Sequence, residues 1–499
     1  MDILNHLILG FSVAVTPLNL LYCLFGALIG TLIGVLPGIG SVATIAMLLP
    51  ITFSIPPVSA LIMLAGIYYG AQYGGSTTSI LVNIPGEAAS VVTCLDGYAM
   101  ARQGRAGPAL GIAALGSFFA GSVCTVFIFL FSPPLAGIAF KFGPAEYFSL
   151  MVLGLVAAVV LASGSLLKAI AMVFLGLVMG LVGTDVNSGV RRFCFGLSEL
   201  ADGIGFVVVA MGLFGFAEII TNLEHKEKRE IFTSKVQGLL PTLADLKASW
   251  KAVVRGTLLG SLLGILPGGG ATISSFASYT LEKRVAKDPS RFGKGAIEGV
   301  AGPEAANNAA AQTSFIPLLT LGIPANAVMA LMIGAMMIHG IVPGPRVMAE
   351  RPELFYGMIA SMWVGNFMLV ILNLPLISIW VRLLMVPYRL LFPAILMFCC
   401  IGVYSLNNTA FDVALTAGFG LLGYVFVKLG CEPAPLLLGF ILGPMMEENL
   451  RRAMLLSRGN ASAFFTRPIS LGMLVLAGIL LLMLILPSVQ RKRQEALRE

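Results

Sequence analysis

Charge is the scarcest commodity in this 499-residue chain: Asp, Glu, Lys and Arg together make up 11% of it. A soluble domain carries roughly 25%, so a soluble globular protein is excluded. Disorder needs high charge and few apolar residues; it is excluded too, because 58% of the residues are hydrophobic. Histidine is rarer still. His6, His225 and His339 are the only three, and they stand far apart, so neither H-E-x-x-H nor a histidine metal cluster exists and no transition metal is expected. Cys23, Cys94, Cys124, Cys194, Cys399, Cys400 and Cys431 show no metal or disulfide spacing and read as small core residues. A G-x-x-x-x-G-K-[ST] loop is missing: Gly293-Lys294-Gly295 lacks the rest of the pattern, and Gly38-Ile39-Gly40 has neither strand nor following acid. With no nucleotide site and no convincing catalytic dyad, an enzyme is not expected. Uphill work must come from an ion gradient or a partner. No Lys or Arg precedes Arg102, so the positive start of a cleaved signal is not expected either.

What is present is long apolar runs rich in Leu, Gly and Ala. They are too long for the alternating strands of a barrel. At about 20 residues per span plus connections, the length allows roughly 12 crossings. The fold expected is therefore an all-α polytopic membrane protein. The net charge of +7 comes from basic residues lying between apolar runs, a pattern of anchoring in a lipid bilayer and not of nucleic-acid binding. The 57 glycines suit close helix packing and broken helices.

An internal repeat organises the chain. Residues 26–40, GALIGTLIGVLPGIG, and 256–270, GTLLGSLLGILPGGG, lie 230 apart and share nine of fifteen positions. Downstream, Asn83-Ile84-Pro85-Gly86 pairs with Gly322-Ile323-Pro324-Ala325 at a shift of 239. The organisation expected is an N-terminal interfacial segment (1–16), repeat 1 (17–222), a polar cytoplasmic linker (223–249), repeat 2 (250–450), and a last section (451–499) with an interfacial segment, a final span at 468–487 and a basic tail. The first glycine-rich copy has no Lys or Arg around it. The second is bracketed by basic residues from Lys226 to Arg255 and from Lys283 to Lys294. By the positive-inside rule the two copies face opposite sides, the mark of inverted-topology repeats. The arms from Lys251 to Leu266 and from Ala271 to Glu282 are short. Three glycines after Pro267 then favour a re-entrant hairpin over one kinked helix.

The breaks are the candidate site, because exposed backbone groups at membrane depth are tolerated only against protein or a water-filled cavity. Half-helix N-termini suit an anion, and unwound carbonyls and helix C-terminal ends suit Na⁺. Substrate candidates are Pro37, Gly38, Gly40 and Ser41, then Asn83 and Pro85, then Pro267, Gly268, Gly269, Gly270 and Thr272, and finally Pro324 and Asn326. Ion candidates are the small polar Ser76, Thr77, Thr78, Ser274, Asn307, Asn308 and Thr313, which desolvate cheaply compared with charges. Glu304 shares a helical face with Asn307 and Asn308, behind a Pro303 read as a helix start. It reads equally as a cation ligand or as a cap. Asp96, Arg102 and Arg105, and likewise Asp185, Arg191 and Arg192, read as solvated loops at the membrane edge.

The paired Leu-Pro-Gly-x-Gly segments carry a resemblance, together with Asp96-Gly97-Tyr98-Ala99-Met100-Ala101, Pro303-Glu304-Ala305-Ala306-Asn307-Asn308-Ala309-Ala310, Thr320-Leu321-Gly322-Ile323-Pro324 and Met337-Ile338-His339-Gly340-Ile341. Over nearly the whole length the chain resembles the large membrane subunit of tripartite tricarboxylate transporters. Ala325 departs from the glycine more usual there. The resemblance implies a secondary transporter of the bacterial inner membrane that imports di- or tricarboxylates such as citrate, driven by Na⁺, with no other cofactor. It also implies a small four-helix membrane subunit and a periplasmic solute-binding protein as partners, and it leaves open a dimer of the membrane complex. An elevator movement follows by looser analogy. A stand-alone ion-coupled carrier or exchanger of organic anions is the alternative, ahead of an ion channel.

Overall fold

The structure, a computed structural model, describes residues 3–36, 40–161, 165–185, 187–224, 238–266, 270–383 and 388–485. Its longer helices, in chain order, are α1 (Ile3–Ala14), α2 (Pro17–Val35), α3 (Ser41–Thr52), α4 (Pro57–Val82), α5 (Ala106–Ala139), α6 (Pro144–Leu161) and α7 (Leu166–Gly180). Then come α8 (Phe206–Glu224), α9 (Leu243–Gly264), α10 (Gly270–Val285), α11 (Glu298–Thr313), α12 (Phe315–Leu321) and α13 (Ala327–Ile338). The chain ends with α14 (Pro352–Asn373), α15 (Tyr388–Asn407), α16 (Ala410–Lys428), α17 (Pro433–Leu456) and α18 (Pro468–Ile485). The strands among the described residues are one two-residue pair, Gly183–Thr184 antiparallel to Arg191–Arg192.

This is a multi-pass membrane protein. Among the described residues five helices, α2, α5, α8, α14 and α16, are long and apolar enough to cross a bilayer, and shorter apolar helices accompany them. Helix α16 buries only 17% of its apolar window and presents Leu421, Val425 and Val427 outward. In water that face would be a liability; in lipid it costs nothing.

Glycine sets the closest packing. A Cβ added at Gly26, Gly30 or Gly34 of α2 would fall 2.2, 2.4 or 2.3 Å from the carbonyl oxygens of Met63, Ile67 and Ala71 on α4. At Gly256 and Gly260 of α9 it would fall 2.2 Å from those of Gly302 and Ala306 on α11, and at Gly264 2.5 Å from that of Ala310. The helix pair α2–α4 therefore recurs as α9–α11. The first helix shifts by 230 residues, and its contacts on the second shift by 239, the two offsets of the sequence motifs. Helices far apart in the chain pack the same way: a Cβ added at Gly176 of α7 would fall 2.0 Å from the Leu436 carbonyl oxygen of α17, and one at Gly423 of α16 would fall 3.0 Å from the Leu213 carbonyl oxygen of α8.

Several local readings change. Helix α9 begins at Leu243, inside the expected polar linker. A capping box, in which Thr242 and Asp245 bond each other's backbone N–H, starts a helix in polar sequence. Pro303 does not open a helix; it lies inside α11, which starts at Glu298. Arg451 and Arg467, at the two ends of the 451–467 segment expected to be interfacial, are paired with Glu447 and Glu146 at 2.6 and 3.0 Å. Asp185 does not sit loose either: Arg192 and Arg451 lie 3.7 and 3.1 Å away.

Asp96 is the largest correction. Read as a solvated loop residue, it is fully buried. Its Oδ1 accepts from the backbone N–H groups of Gly293, Gly295 and Ala296 at 2.9, 2.7 and 2.7 Å, and its Oδ2 accepts from the Tyr279 hydroxyl at 3.0 Å. Successive N–H groups in a glycine turn form an anion-binding nest. Gly293-Lys294-Gly295 holds an internal carboxylate instead of a phosphate.

Candidate functional site

The break after α2 places two backbone donors at the start of α3. Pro37 and Gly38 lie outside the described residues; Gly40 and Ser41 are described. The Gly40 N–H donates to Glu218 Oε1 at 3.0 Å, and the Ser41 N–H to Glu87 Oε1 at 2.6 Å. The first turn of a helix has no partners of its own for these groups, and its partial positive charge favours anions. Two carboxylates meet that need here, one from α8 and one from the segment after α4.

That segment explains how Glu87 arrives. Helix α4 ends at Asn83 in the left-handed region (φ 59°, ψ 28°). Ile84-Pro85 turns the chain, and Glu87 caps the next helical turn in a capping box with Ser90. Its counterpart 239 residues on behaves alike. Gly322 ends α12 in the left-handed region (φ 73°, ψ 24°), Ile323-Pro324 turns, and the Asn326 side chain caps α13 by accepting from the Met329 N–H at 2.9 Å. Asn326 Nδ2 donates to the Tyr68 hydroxyl of α4 at 3.2 Å and faces Gly270, the first residue of α10. Pro267, Gly268 and Gly269 lie outside the described residues.

These four breaks meet. Ala89, Ala271 and Ala310 form one small cluster, which sets the turn after Glu87 against the start of α10 and the end of α11. The two Ile-Pro turns differ in access: Asn83 and Pro85 are exposed, whereas Ile323, Pro324 and Ala325 are buried.

Behind the breaks runs a buried polar column. Glu304 on α11 is fully buried and accepts from the hydroxyls of Ser76 and Thr93. Asn308 Nδ2 donates to Ser117 Oγ at 2.7 Å. The amide atoms of Asn307 and the Oδ1 of Asn308 are without partners, as are the hydroxyls of Tyr69 and Tyr73 and the Oδ1 of Asn373. Among the other ion candidates, Thr77 Oγ1 bonds the Tyr73 carbonyl (3.4 Å), and Thr78 Oγ1 bonds the Val35 carbonyl at the end of α2 (2.8 Å). Thr313 Oγ1 bonds the Ala309 carbonyl (3.0 Å) and Ser274 Oγ the Gly270 carbonyl (2.6 Å). Thr272 offers its carbonyl to Ser275 Oγ at 2.9 Å.

A profile described as the Tripartite tricarboxylate transporter TctA family matches residues 20–438. The chain belongs to that family. Two relatives of this TctA-family chain come from Agrobacterium vitis. The first, described as an uncharacterized 52.8 kDa protein in TAR-I ttuC' 3'region, is 57% identical over 499 residues, covering 100% of this chain and 99% of the relative. The second, described as an uncharacterized protein in TAR-II ttuC' 3'region, is 61% identical over 240 residues, covering 48% of this chain and 99% of the relative. No solved structure matches. As a TctA-family member the chain is a component of a tricarboxylate transporter, in a family that forms the large subunit of a three-part system.

Sequence reading missed Glu218, Tyr73 and Asn373 in this TctA-family chain. Glu218 and Asn373 join the polar residues only through tertiary contacts, from helices with no break or motif of their own. Tyr73 stands three residues before Ser76 in an apolar run and looks like core.

Proposed function

We propose that this chain is the large transmembrane subunit of a binding-protein-dependent, cation-coupled secondary transporter of the bacterial inner membrane, importing di- or tricarboxylates such as citrate. One observation carries the reading: the broken-helix N-terminus at Gly40 and Ser41 already seats two carboxylates, Glu218 and Glu87. Donors that hold a side-chain carboxylate suit a cargo carboxylate equally well. Cargo entering here would take over one or both of those donors. The recurrence of the α2–α4 packing in α9–α11, and the exposed and buried Ile-Pro turns, support two related halves that open in alternation. An elevator movement of the converging breaks is the form of alternation we favour. A small four-helix membrane subunit and a periplasmic binding protein complete the system.

Energetics require coupling. Moving a trianion into a negative cell opposes the potential by about 2.3 kcal/mol per charge per 100 mV, roughly 7 kcal/mol in all. Three cations offset the charge, and a fourth makes import favourable. Na⁺ is the coupling ion we favour. The test is uptake into proteoliposomes containing both membrane subunits, with the binding protein outside, under imposed Na⁺ and H⁺ gradients. Import should need the binding protein and a cation gradient in more than single stoichiometry. Uptake unchanged after both gradients are collapsed would overturn the reading.

A further inference from the structure

Between α4, α5 and α14 lies a cavity of about 10 Å³, room for one water-sized species. Its polar lining residues are Tyr73, Ser76, Thr77, Ser117 and Asn373, and Leu110, Ala113, Ala114 and Leu374 complete the wall. All five side chains are at least nine-tenths buried. Two of them have no partner for the atom in question: the Tyr73 hydroxyl and the Asn373 Oδ1. The amide of Asn373 is fixed by its other end, since Nδ2 donates to the Leu369 carbonyl at 2.9 Å and to Thr31 Oγ1 at 3.4 Å. Oδ1 is therefore the free acceptor. Ser117 Oγ already accepts from Asn308, and Ser76 Oγ donates away from the cavity to Glu304, leaving a hydroxyl lone pair to face it.

Glu304 adds the charge. It is fully buried, and its two partners are neutral hydroxyls. Among the described residues none of the ion pairs includes it. A buried carboxylate without a cation is costly. Ser76 both lines the cavity and holds Glu304, so a cation in the cavity would sit one hydroxyl away from the negative charge. Neutral oxygen-bearing side chains in the wall of a small hole, with a single carboxylate once removed, suit a monovalent ion better than a divalent one. A divalent ion would call for carboxylates as direct ligands.

We propose that this cavity is a binding site for a Na⁺-sized monovalent cation, with Tyr73, Ser76, Thr77, Ser117 and Asn373 as oxygen ligands and Glu304 as the balancing charge. The proposal rests on the cation-coupled reading above and assigns that ion a place. It also gives the ion a structural consequence: occupancy ties α4, α5 and α14 together next to the Ser76–Glu304 contact that links α4 to α11.

The test measures binding without transport. The full chain in detergent is heated at increasing NaCl, with LiCl, KCl and choline chloride at matched ionic strength as comparisons. Wild type should show a saturable Na⁺-specific rise in Tm. Tyr73→Phe, which removes one atom and keeps the packing, and Asn373→Leu should each raise the half-saturating Na⁺ concentration at least tenfold. Glu304→Gln should abolish the Na⁺ response. Should Glu304→Gln fail to fold, Tyr73→Phe still decides. Variants that keep the wild-type half-saturation within twofold would overturn the site, and Na⁺-driven uptake by the same variants in the proteoliposome assay above would leave the coupling reading standing. A wild-type Tm indifferent to Na⁺ would mean that the cavity holds water only, and would also overturn it. If uptake then follows a proton gradient alone, Glu304 carries a proton; uptake that follows neither gradient would bring down the coupling reading itself.

Discussion

Asn83 and Gly322, 239 residues apart, end their helices in the same left-handed conformation and are each followed by Ile-Pro. They do not tolerate the same changes. Asn83 is exposed, whereas a Cβ on Gly322 would meet the Pro343 carbonyl oxygen at 2.7 Å. Asn83→Gly should be neutral to within about 0.5 kcal/mol, because both residues accept this conformation. Asn83→Val should cost about 1–2 kcal/mol. Gly322→Asn, conservative by backbone preference alone, should be the most damaging of the three. Thermal unfolding of the purified variants checks the order; equal effects at the two positions would contradict it.

The glycine seams should fail in parallel. At Gly30 and Gly260 a Cβ falls 2.4 and 2.2 Å from a carbonyl of the facing helix, so any side chain must push the pair apart. Gly30→Leu and Gly260→Leu should each cost more than about 3 kcal/mol, beyond ordinary overpacking because backbone is struck. Yield of monodisperse protein is the readout, and normal yield from either variant would show that the seam is looser than described.

On the transport reading proposed above, the protein's own carboxylates at the α3 N-terminus compete with cargo. Glu218→Ala frees the Gly40 N–H, and a charge-assisted hydrogen bond is worth about 1.5–3 kcal/mol. The substrate concentration for half-maximal uptake should therefore fall by about tenfold, with turnover also falling because cargo leaves less readily. A raised half-saturation would mean that Glu218 helps to form the seat instead of filling it.

Asp96 makes a sharp stability prediction. Asp96→Ala leaves three buried N–H groups without an acceptor, each costing about 1–3 kcal/mol when unsatisfied. The variant should lose more than about 3 kcal/mol in all. Asp96→Asn keeps the Oδ1 acceptor and should lose less. Thermal unfolding of both separates the two, and equal losses would contradict the assignment of Oδ1.

Outside the membrane, Asp185 gives a pH signature. The Ser188 hydroxyl and the Asn187 N–H, with Arg451 and Arg192 nearby, lower its carboxyl to about 2. A lowered folded value means stability that is present above the unfolded value of about 3.9 and lost as pH falls through about 2. Asp185→Asn should weaken protection of the Gly183–Arg192 hairpin against hydrogen exchange at pH 5, and the difference from wild type should shrink as pH falls toward 2.

The parts of this molecule readable in advance were those written as periodic or repeated small residues. Gly26, Gly30 and Gly34 announce a close helix contact because no other residue permits it, and their copy at 256–264 announces a second one. The pairing of Ile84-Pro85 with Ile323-Pro324 as breaks was legible in the same way, whereas the left-handed backbone at Asn83 and Gly322 came only with the structure. Glu218 was not readable, because nothing in α8 says that Gly40 lies beside it. Asp96 was misread because a carboxylate in a Gly/Tyr-rich loop looks solvated until the nest at 293–296 is folded against it. Tyr73 and Asn373 gain meaning only from the cavity they share.

The packing of α7 on α17 and of α8 on α16 has a consequence for biosynthesis. The Gly176 and Gly439 faces of α7 and α17 approach closely, as do the facing sides of α8 and α16, so α7 and α8 are covered by helices from much later in the chain. A ribosome that has released the first half into the membrane has made a segment whose α7 and α8 still lack their partners. Insertion and folding are thus separate events in time. The helices from Ala410 onward, made on the order of tens of seconds later at about 5–20 residues per second, supply those partners, and quality control has that interval in which to act.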